Sequence, residues 1–406
     1  MAHEVIVDLL ADEIMVQLGD YRPRNGRAAS EPDVPFLDLP ATHESLVEEI
    51  LLAWEQILRA GSFIGGSEIE AFESEFSGYV GAVECVTVGS GTDALILALR
   101  AMGLRRGDEV ITVPNTFIAT VQAIVEAGGR PVLVDVDPET GTMDPSLVEE
   151  AISPRTRVLL PVHLYGQPAD MDPLLDICER HGLQVLEDAC QAHGATYQGR
   201  RVGSMGTAAF SFYPSKNLGA CGDAGAVTTN DPDLARRIRM LRNHGQAKKH
   251  SHPVGGVNSR MDALQAAVLR IKLRYLDGWV AARRDLAAEY AELLAETDLE
   301  LPIESPGSTH AYHLYVVRHP MRDLLRTALE EAGIETGLHY PVAVHLQGAF
   351  RYLGLRPGTF PHAERWAAHG LSLPMYPELT DEAVVRVSTA LTDVVLSPDV
   401  SPRSPA

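Results

Sequence analysis

Short apolar runs alternate with stretches of helical periodicity over residues 84–230, and this alternation limits the folds open to the chain. Apolar runs that are buried on both faces and joined by helices are typical of a mostly parallel sheet. We therefore predict the α/β class. The predicted strands are Cys85–Val88, Glu109–Val113, Pro131–Val136, Val158–Val162, Gln184–Glu187, Ala208–Phe212 and Ala226–Thr229, and the predicted helices are Thr92–Met102, Phe117–Ala127, Pro145–Ile152 and Met171–His181.

The sequence changes character after Asn230, which predicts a second, smaller domain. Long helical stretches, including roughly residues 261–296, lead into a region of mixed α and β character. We expect a large domain over residues 34–255, followed by a helical connector and a small α+β domain over residues 256–392. Apolar residues at helical spacing between Leu46 and Ile57 predict a further helix that ends at Gly61.

Both ends of the sequence have the composition of extensions rather than of a core. Met1–Leu18 predicts a short acidic helix, and Pro, Gly and charged residues make the remainder of residues 1–33 a linker. Residues 393–406 are rich in Pro and polar residues, so we expect a flexible tail. These boundaries leave residues 34–392 as the folded part.

The charge balance excludes several classes of partner. Lys and Arg number 34 and Asp and Glu number 55, so the formal net charge is −21. Such a surface repels nucleic acid and anionic lipid. Four cysteines make no disulfide framework, no apolar run is long enough to span a membrane, and the acidic N-terminus is unlike a signal peptide. We predict a cytoplasmic globular protein, with neither nucleic acid nor membrane as a partner.

The segment from Gly89 to Ala94 follows a predicted strand and opens a predicted helix. Backbone N–H groups at such a helix start hold phosphate well, and glycine lets the ligand approach closely. The same segment fits a loose dinucleotide-binding pattern, in which Glu109 would be the ribose-binding acid. A plain strand-to-helix turn explains the pattern equally well.

Asp188 is a candidate site residue because it comes at the end of a predicted strand. Open α/β sheets bind ligands in the crevice beyond the carboxyl ends of their strands. Asp188 could instead be the N-cap of a following helix, since Asp is favoured there. The local sequence leaves both interpretations open.

Lys216 follows another predicted strand, in a loop rich in Gly, Pro and Ser. A lysine removed from water at such a place has a lowered pKa and can act as a nucleophile. Most lysines are solvated surface charges, which is the alternative here. Taken alone, the lysine favours that alternative, but the aromatic residues Phe212 and Tyr213 before it and the glycines after it weaken the case for a surface charge.

The stretch from Arg236 to Arg260 contains no Asp or Glu and is the most basic part of an acidic chain. It suggests an anionic ligand such as a diphosphate, or else a solvated helix face. His244, His250 and His252 have no carboxylate or cysteine nearby in sequence, so we predict no metal site.

Several separate segments, in order, resemble the DegT/DnrJ/EryC1/StrS family of sugar aminotransferases that use pyridoxal 5'-phosphate (PLP). The resemblance runs from Val34 to about Leu391. It implies the type I aminotransferase fold: a large domain with a mostly parallel mixed sheet flanked by helices, and a smaller C-terminal α+β domain. The similar segments are Gly61–Gly66, Ser90–Leu95, Pro114–Phe117, Leu164–Gln167, Glu187–Gln191, Ser211–Gly219 and Gly256–Asp262.

The resemblance also implies roles for individual residues. Lys216 stands where the family has its Schiff-base lysine, and Asp188 where it has the acid that pairs with the pyridinium nitrogen. Gln191 matches the residue that hydrogen-bonds the phenolic oxygen. The remaining matches are Phe117 for the ring-stacking aromatic, Gly91, Thr92 and Ser211 for the phosphate cradle, Asn258 for the residue given to the neighbouring subunit's phosphate, and Arg260, His339 and Tyr340 for contacts with the sugar or its diphosphate.

The implied reaction is transfer of an amino group, most often from L-glutamate in this family, to a nucleotide-linked keto sugar. Some relatives carry His at the lysine position and dehydrate their substrate, and Lys216 argues against that branch. We expect amination at C3 of a dTDP- or UDP-linked sugar rather than at C4. The alternatives are a keto-inositol aminotransferase, an NAD-dependent oxidoreductase and a non-catalytic binding or regulatory protein with the same fold. The match at Asn258 implies a homodimer with shared active sites.

Overall fold

The computed structural model describes residues 33–396, and its centre is a seven-stranded mixed sheet in the order β1-β9-β8-β5-β4-β2-β3. Two short sheets, β10-β6-β7 and β11-β12, lie outside it. The strands are β1 Glu84–Val88, β2 Glu109–Thr112, β3 Arg130–Leu133, β4 Thr156–Leu159, β5 Gln184–Asp188, β6 Thr196–Tyr197, β7 Arg200–Arg201, β8 Thr207–Ser211, β9 Gly225–Thr229, β10 Ser308–Thr309, β11 Tyr315–Arg318 and β12 Gly370–Leu373.

Helices precede the sheet, connect its strands and fill the C-terminal part of the chain. Short 3-10 turns supplement them at Pro145–Leu147, Leu164–Gly166, Val344–Leu346 and Gly348–Leu353. The α-helices are α1 Leu39–Glu44, α2 Val47–Ala60, α3 Ser67–Val80, α4 Gly91–Ala101, α5 Ile118–Glu126, α6 Val148–Ala151, α7 Met171–His181, α8 Pro232–Leu241, α9 Ala263–Leu273, α10 Leu276–Leu293, α11 Arg322–Glu331, α12 Pro361–His369 and α13 Asp381–Val395.

Strand direction brings the ends of six of the seven strands to one edge of the large sheet, because only β9 runs the other way. The pairs β2–β3, β2–β4, β4–β5 and β5–β8 are parallel, whereas β9 is antiparallel to both β1 and β8. Strands β1, β5 and β8 therefore run in the same direction. Their last residues, Val88, Asp188 and Ser211, end at a common carboxyl edge, and this edge carries the candidate site.

The α/β prediction is confirmed, and so are most of the predicted elements. Helix α2 ends at Gly61, whose φ of 66° is a left-handed conformation that glycine adopts without strain. The helix predicted over Pro145–Ile152 is shorter than expected: a 3-10 turn comes first, because the Asp144 side chain caps Ser146 N and Pro145 stands at the first position. The helical stretch after residue 261 is two helices, α9 and α10.

The hydrophobic core surrounds the large sheet and continues into the C-terminal region. One buried cluster packs α4, α5 and α7 on β1, β2 and β4, and a second packs aromatic side chains of α3, such as Phe76, against Phe210 and Phe212. A third, with Tyr290 and Tyr315 at its centre, joins α10, α11, α13, β11 and β12. The described residues from Val34 onward form one compact unit, so the division at residue 255 stays a prediction.

Two predictions fall on parts of the chain outside the described residues. These are the acidic helix and most of the linker in residues 1–33, and most of the tail over residues 393–406. Within residues 33–396, no helix combines the length and the apolar character needed to cross a membrane.

Candidate active site

A cavity of about 400 Å³ opens at the carboxyl edge of the large sheet. Its walls come from the starts of α4 and α5, the segments after β5 and β8, and two segments from the C-terminal part of the chain. The cavity brings together all the predicted site residues except Asn258 and Arg260: Gly91, Thr92, Phe117, Asp188, Gln191, Ser211, Lys216, His339 and Tyr340.

Lys216 is partly buried in the cavity wall, so the surface-charge alternative is wrong. A tight turn presents it: Lys216 N donates to Tyr213 O at 2.8 Å, and Ala220 N donates to Phe212 O at 2.8 Å. Burial lowers the pKa of the Lys216 amine, and the nearby Cys190 and Asp188 oppose this shift. A lowered pKa increases the neutral fraction of the amine, which is the nucleophilic form.

Asp188 ends β5 and points both carboxylate oxygens at neutral donors. Thr120 Oγ1 donates to Oδ2 at 2.7 Å, and Cys190 N donates to Oδ1 at 3.2 Å. The helix-cap alternative is wrong, because a turn and not a helix follows the strand. Within residues 33–396, no Lys, Arg or His side chain forms an ion pair with Asp188. This buried carboxylate can therefore pair with a cationic ligand in the cavity.

One end of the cavity has the character of an anion site. Helix α4 begins there at Gly91, and Ser90 caps it by accepting from Asp93 N at 3.1 Å. A Cβ on Gly91 would lie 2.5 Å from Ser211 Cβ, so the close approach of the helix start to β8 requires glycine. The N–H groups of the helix start and the hydroxyls of Thr92 and Ser211 are donors suited to a phosphate.

Aromatic and amide side chains form the opposite wall. Phe117 stands just before α5 and is half exposed, with its ring centroid 5.4 Å from that of Tyr340. Gln191 Nε2 donates to Tyr340 Oη at 3.1 Å, and Gln191 Oε1 accepts from Tyr165 N at 2.8 Å. Burial, reinforced by Lys216, lowers the pKa of His339 to about 4, so this imidazole is neutral at pH 7.

Asn258 and Arg260 lie outside the cavity, in the loop before α9. Arg260 Nε donates to Asn258 Oδ1 at 3.0 Å, and Arg260 Nη1 donates to Asn243 Oδ1 at 3.2 Å. Ser259 between them accepts from Gly89 N at 3.0 Å, which ties the loop to the segment before α4. A single chain therefore does not place either predicted residue beside Lys216.

Other arginines of the basic stretch already have acidic partners in the chain. Arg239 pairs with Glu84 at 2.8 Å, and Arg242 pairs with Glu73 at 2.6 Å. Arg236 pairs with Asp233 on the same helix. The diphosphate interpretation is wrong for these three arginines, because their charge is balanced within the fold.

Glu109, the ribose-binding acid of the dinucleotide alternative, lies at the wrong end of the sheet. It begins β2, whereas the cavity lies where strands end. Its carboxylate accepts from Arg155 Nη2 at 2.6 Å and is also bonded to the Ser153 hydroxyl. Glu109 cannot serve a nucleotide bound at Gly91, so this element of the oxidoreductase alternative is wrong.

A larger groove of about 550 Å³ lies between α2, α3 and α9, but the arginines that line it are paired with glutamates of the same groove. Its principal cation, Arg270, is paired with Glu68 and Glu75, each at 2.7 Å. The described residues also contain no group of three or more His, Cys, Asp or Glu side chains placed to share a metal ion. Chemistry, and not volume, therefore identifies the smaller cavity as the candidate active site.

The sequence interpretation missed two residues that touch the central pair. Thr120 binds Asp188, and His313 Nε2 lies 3.4 Å from Lys216 Nζ. A polar residue at helical spacing, Thr116 followed by Thr120, was a detectable signal for the first. His313 is 97 residues from Lys216 in the chain, and no local pattern connects them.

The sequence profile of the DegT/DnrJ/EryC1/StrS aminotransferase family matches residues 44–392, which is most of the chain. The chain belongs to this family. It is 52% identical to the "Erythromycin biosynthesis sensory transduction protein EryC1" of Saccharopolyspora erythraea, over 88% of this chain and 99% of the relative. It is 50% identical to the "dTDP-3-amino-3,4,6-trideoxy-alpha-D-glucose transaminase" of Streptomyces venezuelae, over 90% and 97%.

Solved members of the family have the same fold. DesV of Streptomyces venezuelae, solved in complex with a ketimine intermediate, aligns with a TM-score of 0.89 at 49% identity, over 90% of this chain and 99% of that one. Other similar structures were solved in PLP and PMP forms. The resemblance read from the sequence is confirmed, and the chain is a sugar aminotransferase with the mixed-sheet α/β fold of that family.

Proposed function

We propose that this enzyme transfers an amino group from L-glutamate to C3 of a dTDP- or UDP-linked keto sugar. The observation that carries the proposal is that Lys216 and Asp188 line one cavity whose far end is an anion site. The cofactor is PLP. The Streptomyces venezuelae relative is named for a 3-amino sugar linked to dTDP, which supports amination at C3.

The cavity suits PLP on two separate grounds. First, the start of α4 approaches Ser211 so closely that a Cβ at Gly91 has no room, which leaves backbone N–H groups for the phosphate. Second, Asp188 is buried without a cationic partner in the described part of the chain, as the acceptor for a protonated pyridine nitrogen must be. Gly91, Thr92 and Ser211 would hold the phosphate, Phe117 would stack on the ring, and Gln191 would bond the phenolic oxygen.

PLP supplies an electron sink that makes the α-proton of the bound amino acid acidic. The residues of the chain determine whether that sink operates. A carboxylate at Asp188 would pair with the ring nitrogen and so favour the protonated ring. Two hydrogen bonds orient the carboxylate of Asp188. Thr120 Oγ1 donates to Oδ2 at 2.7 Å, and Cys190 N donates to Oδ1 at 3.2 Å.

Lys216 has two roles in the proposal. Its amine first holds the cofactor covalently, and once displaced by the amino donor it moves a proton as base and then as acid. Burial keeps a larger fraction of this amine neutral than in water, which suits it to accept the proton. The presence of lysine at this position argues against the dehydrating branch of the family.

His339 and Tyr340 are proposed to contact the sugar or its diphosphate from the wall that they share with Phe117. Arg260 is proposed for the same contact, although one chain leaves it outside the cavity. We propose that the enzyme is a homodimer in which Asn258 reaches the phosphate of the neighbouring subunit. Asn258 is exposed and does not line the cavity of its own chain, which supports this. Arg260, which is hydrogen-bonded to Asn258, would be brought to the neighbouring site by the same contact.

A panel of nucleotide-linked keto sugars tests the proposal directly. Each sugar is incubated with the holoenzyme and L-glutamate, and the aminated carbon is read by NMR. We expect a 3-amino sugar and 2-oxoglutarate in equal amounts. Amination at C4, or activity restricted to keto-inositols, would replace the proposed substrate, and colour without any transfer from glutamate would replace the proposed donor.

A further inference from the structure

The amine of Lys216 has a specific partner that no role assigned above requires. Among the described residues, His313 Nε2 is the one polar atom recorded within hydrogen-bonding distance of Lys216 Nζ, at 3.4 Å. His313 is buried, with 8% of its surface exposed, and its other ring nitrogen has no hydrogen-bond partner. A buried imidazole with an unpaired nitrogen is unfavourable, so its position beside Lys216 calls for a function.

Hydrogen bonds between neighbouring segments hold the side chains of Lys216 and His313 next to each other. Asn217, the residue after Lys216, donates from Nδ2 to Ala311 O at 2.8 Å, and Ala311 N donates to Gly166 O at 2.9 Å. Gly166 has φ of 101°, and a Cβ there would lie 3.1 Å from His313 N. The turn at Gly166 thus lets the segment carrying His313 pack closely, while Asn217 links that segment to the lysine loop.

The charge state of His313 follows from its surroundings. Burial lowers its pKa well below the usual value, and the cations Lys216 and Arg283 lower it further. His313 is therefore neutral near pH 7, with a lone pair on one ring nitrogen. A protonated Lys216 amine has no lone pair and can only donate, so this contact with the ammonium requires the lone pair on His313 Nε2 and the proton on Nδ1.

We propose that His313 is a further catalytic residue that accepts a hydrogen bond from Lys216 Nζ whenever this amine is free of the cofactor. The inference rests on the proposed function, in which Lys216 takes a proton from the α-carbon of the amino donor on to Nζ and later releases it. The hydrogen bond stabilises the ammonium more than the amine, so it makes Lys216 a better base. His313 itself gains and loses no proton.

Two amide variants of His313 show whether the effect on Lys216 requires the hydrogen bond or only a polar side chain at this position. In His313→Gln the carbonyl can reach the position of Nε2, whereas in His313→Asn the side chain is too short. His193→Asn is the matched control, since His193 is also buried and close to Lys216 but has no hydrogen bond to it. The other titratable groups that face Lys216, namely Asp188, Cys190 and His339, are left unchanged.

The first measurement uses the cofactor-free protein. Lys216 is labelled with acetic anhydride at a series of pH values, and the extent of labelling is read by mass spectrometry. We expect the labelling midpoint of His313→Asn to fall by about one pH unit, as the loss of a hydrogen bond to the charged form requires, whereas His313→Gln and His193→Asn stay near the wild type.

The second measurement uses the holoenzyme and a single turnover with L-glutamate. We expect His313→Asn to slow the loss of the original cofactor colour by about 10²-fold, in the range of general acid–base effects, and His313→Gln to restore most of the rate. An unchanged midpoint and rate in His313→Asn would overturn the inference, as would equal shifts in His193→Asn. A third outcome is that the labelling midpoint shifts in His313→Asn although neither the wild type nor any variant takes nitrogen from L-glutamate. That outcome would contradict the proposed function and would support the hydrogen bond between His313 and Lys216.

Discussion

The buried carboxylates at the two edges of the large sheet differ in their partners. At the carboxyl edge, Asp188 accepts hydrogen bonds from a hydroxyl and a backbone N–H, and it faces a cavity. At the amino edge, Glu109 is equally buried but is paired with Arg155 at 2.6 Å and with the Ser153 hydroxyl. The comparison teaches that a carboxylate without a cationic partner in its own fold is the one available to a ligand.

Two lysines repeat the contrast. Lys272 on α9 is 2% exposed, donates to Gly219 O at 2.6 Å, and has a second contact with His43 Nε2 at 3.2 Å. Burial lowers its pKa to about 8. Lys216 also has a pKa lowered by burial, but its amine lines the cavity and has only the longer contact with His313. A lowered pKa alone thus does not distinguish the two lysines. The distinguishing feature of Lys216 is that its amine lines a cavity and has fewer and longer hydrogen-bond contacts than the amine of Lys272.

The largest effect that distinguishes the two lysines should come from Lys216→Ala. Removing the amine removes both covalent attachment and proton transfer, so we expect activity to fall by more than about 10³-fold. The visible absorbance of the bound cofactor should shift or vanish, while circular dichroism stays that of the wild type. Steady-state assays and spectra check this.

Lys272→Met is the matched control. It should lower the melting temperature because Gly219 O loses its donor, yet the remaining folded protein should keep the cofactor colour. Equal loss of colour in both variants would erase the distinction between the two lysines.

The next largest effect should be that of Asp188→Asn at the carboxyl edge. Asparagine is nearly isosteric but uncharged, so it cannot hold a proton on the ring nitrogen. We expect the cofactor to remain bound and turnover to fall by about 10²-fold, the size of a lost electrostatic contribution at a reacting centre. Stopped-flow measurement of the glutamate half-reaction checks this, and a rate within twofold of the wild type would contradict it.

A smaller effect is expected for Asn258→Ala, because Asn258 does not line the cavity of its own chain. If Asn258 serves the neighbouring subunit's phosphate, loss of one charge-assisted hydrogen bond, about 1.5–3 kcal/mol, should weaken cofactor retention roughly 10- to 100-fold. Equilibrium dialysis measures this. Mixing Asn258→Ala with Lys216→Ala should recover part of the activity, because one site per mixed dimer is then intact, and no recovery would contradict shared sites.

The smallest effect on activity should come from Glu109→Gln at the amino edge. Burial alone would raise the pKa of Glu109, but hydrogen bonds from Ser153 and Arg155 outweigh it and hold the pKa below its usual value. A depressed folded-state pKa gives stability that is present near neutral pH and lost as the pH falls through that folded value. We expect Glu109→Gln to lower the free energy of unfolding by about 1 kcal/mol at pH 7 and to narrow its gap from the wild type in acid.

Denaturant titrations at several pH values check the stability, and turnover measured in parallel should stay near the wild-type rate. If Glu109→Gln lost as much activity as Asp188→Asn, the claim that only the carboxyl edge takes part in catalysis would be wrong.

The sequence predicted the carboxyl edge well, because its signals are local. Asp188 and Lys216 each follow an apolar run, and the ends of parallel strands meet at one edge whatever the order of the strands. The start of α4 at Gly91 was likewise visible as a strand followed by small residues. Helix α6 was harder: the cap from Asp144 and Pro145 begins it with a 3-10 turn that periodicity alone does not reveal.

What the sequence could not supply were partners from distant parts of the chain. Glu73 neutralises Arg242 across 169 residues, and Thr120 binds Asp188 across 68. The pattern around Glu109 counts residues from a glycine turn, but it does not say at which end of a strand the acid will lie. Each of these depends on tertiary packing, which is why the basic stretch and the dinucleotide pattern were misleading.

The most direct test is to reduce the PLP-loaded protein with borohydride and map the modified lysine by peptide mass spectrometry. We predict that the cofactor mass is found on the peptide that contains Lys216, and that addition of L-glutamate before the reductant prevents the labelling. Label on Lys272, or on no lysine of a protein that has bound PLP, would contradict the assignment of this cavity as the active site.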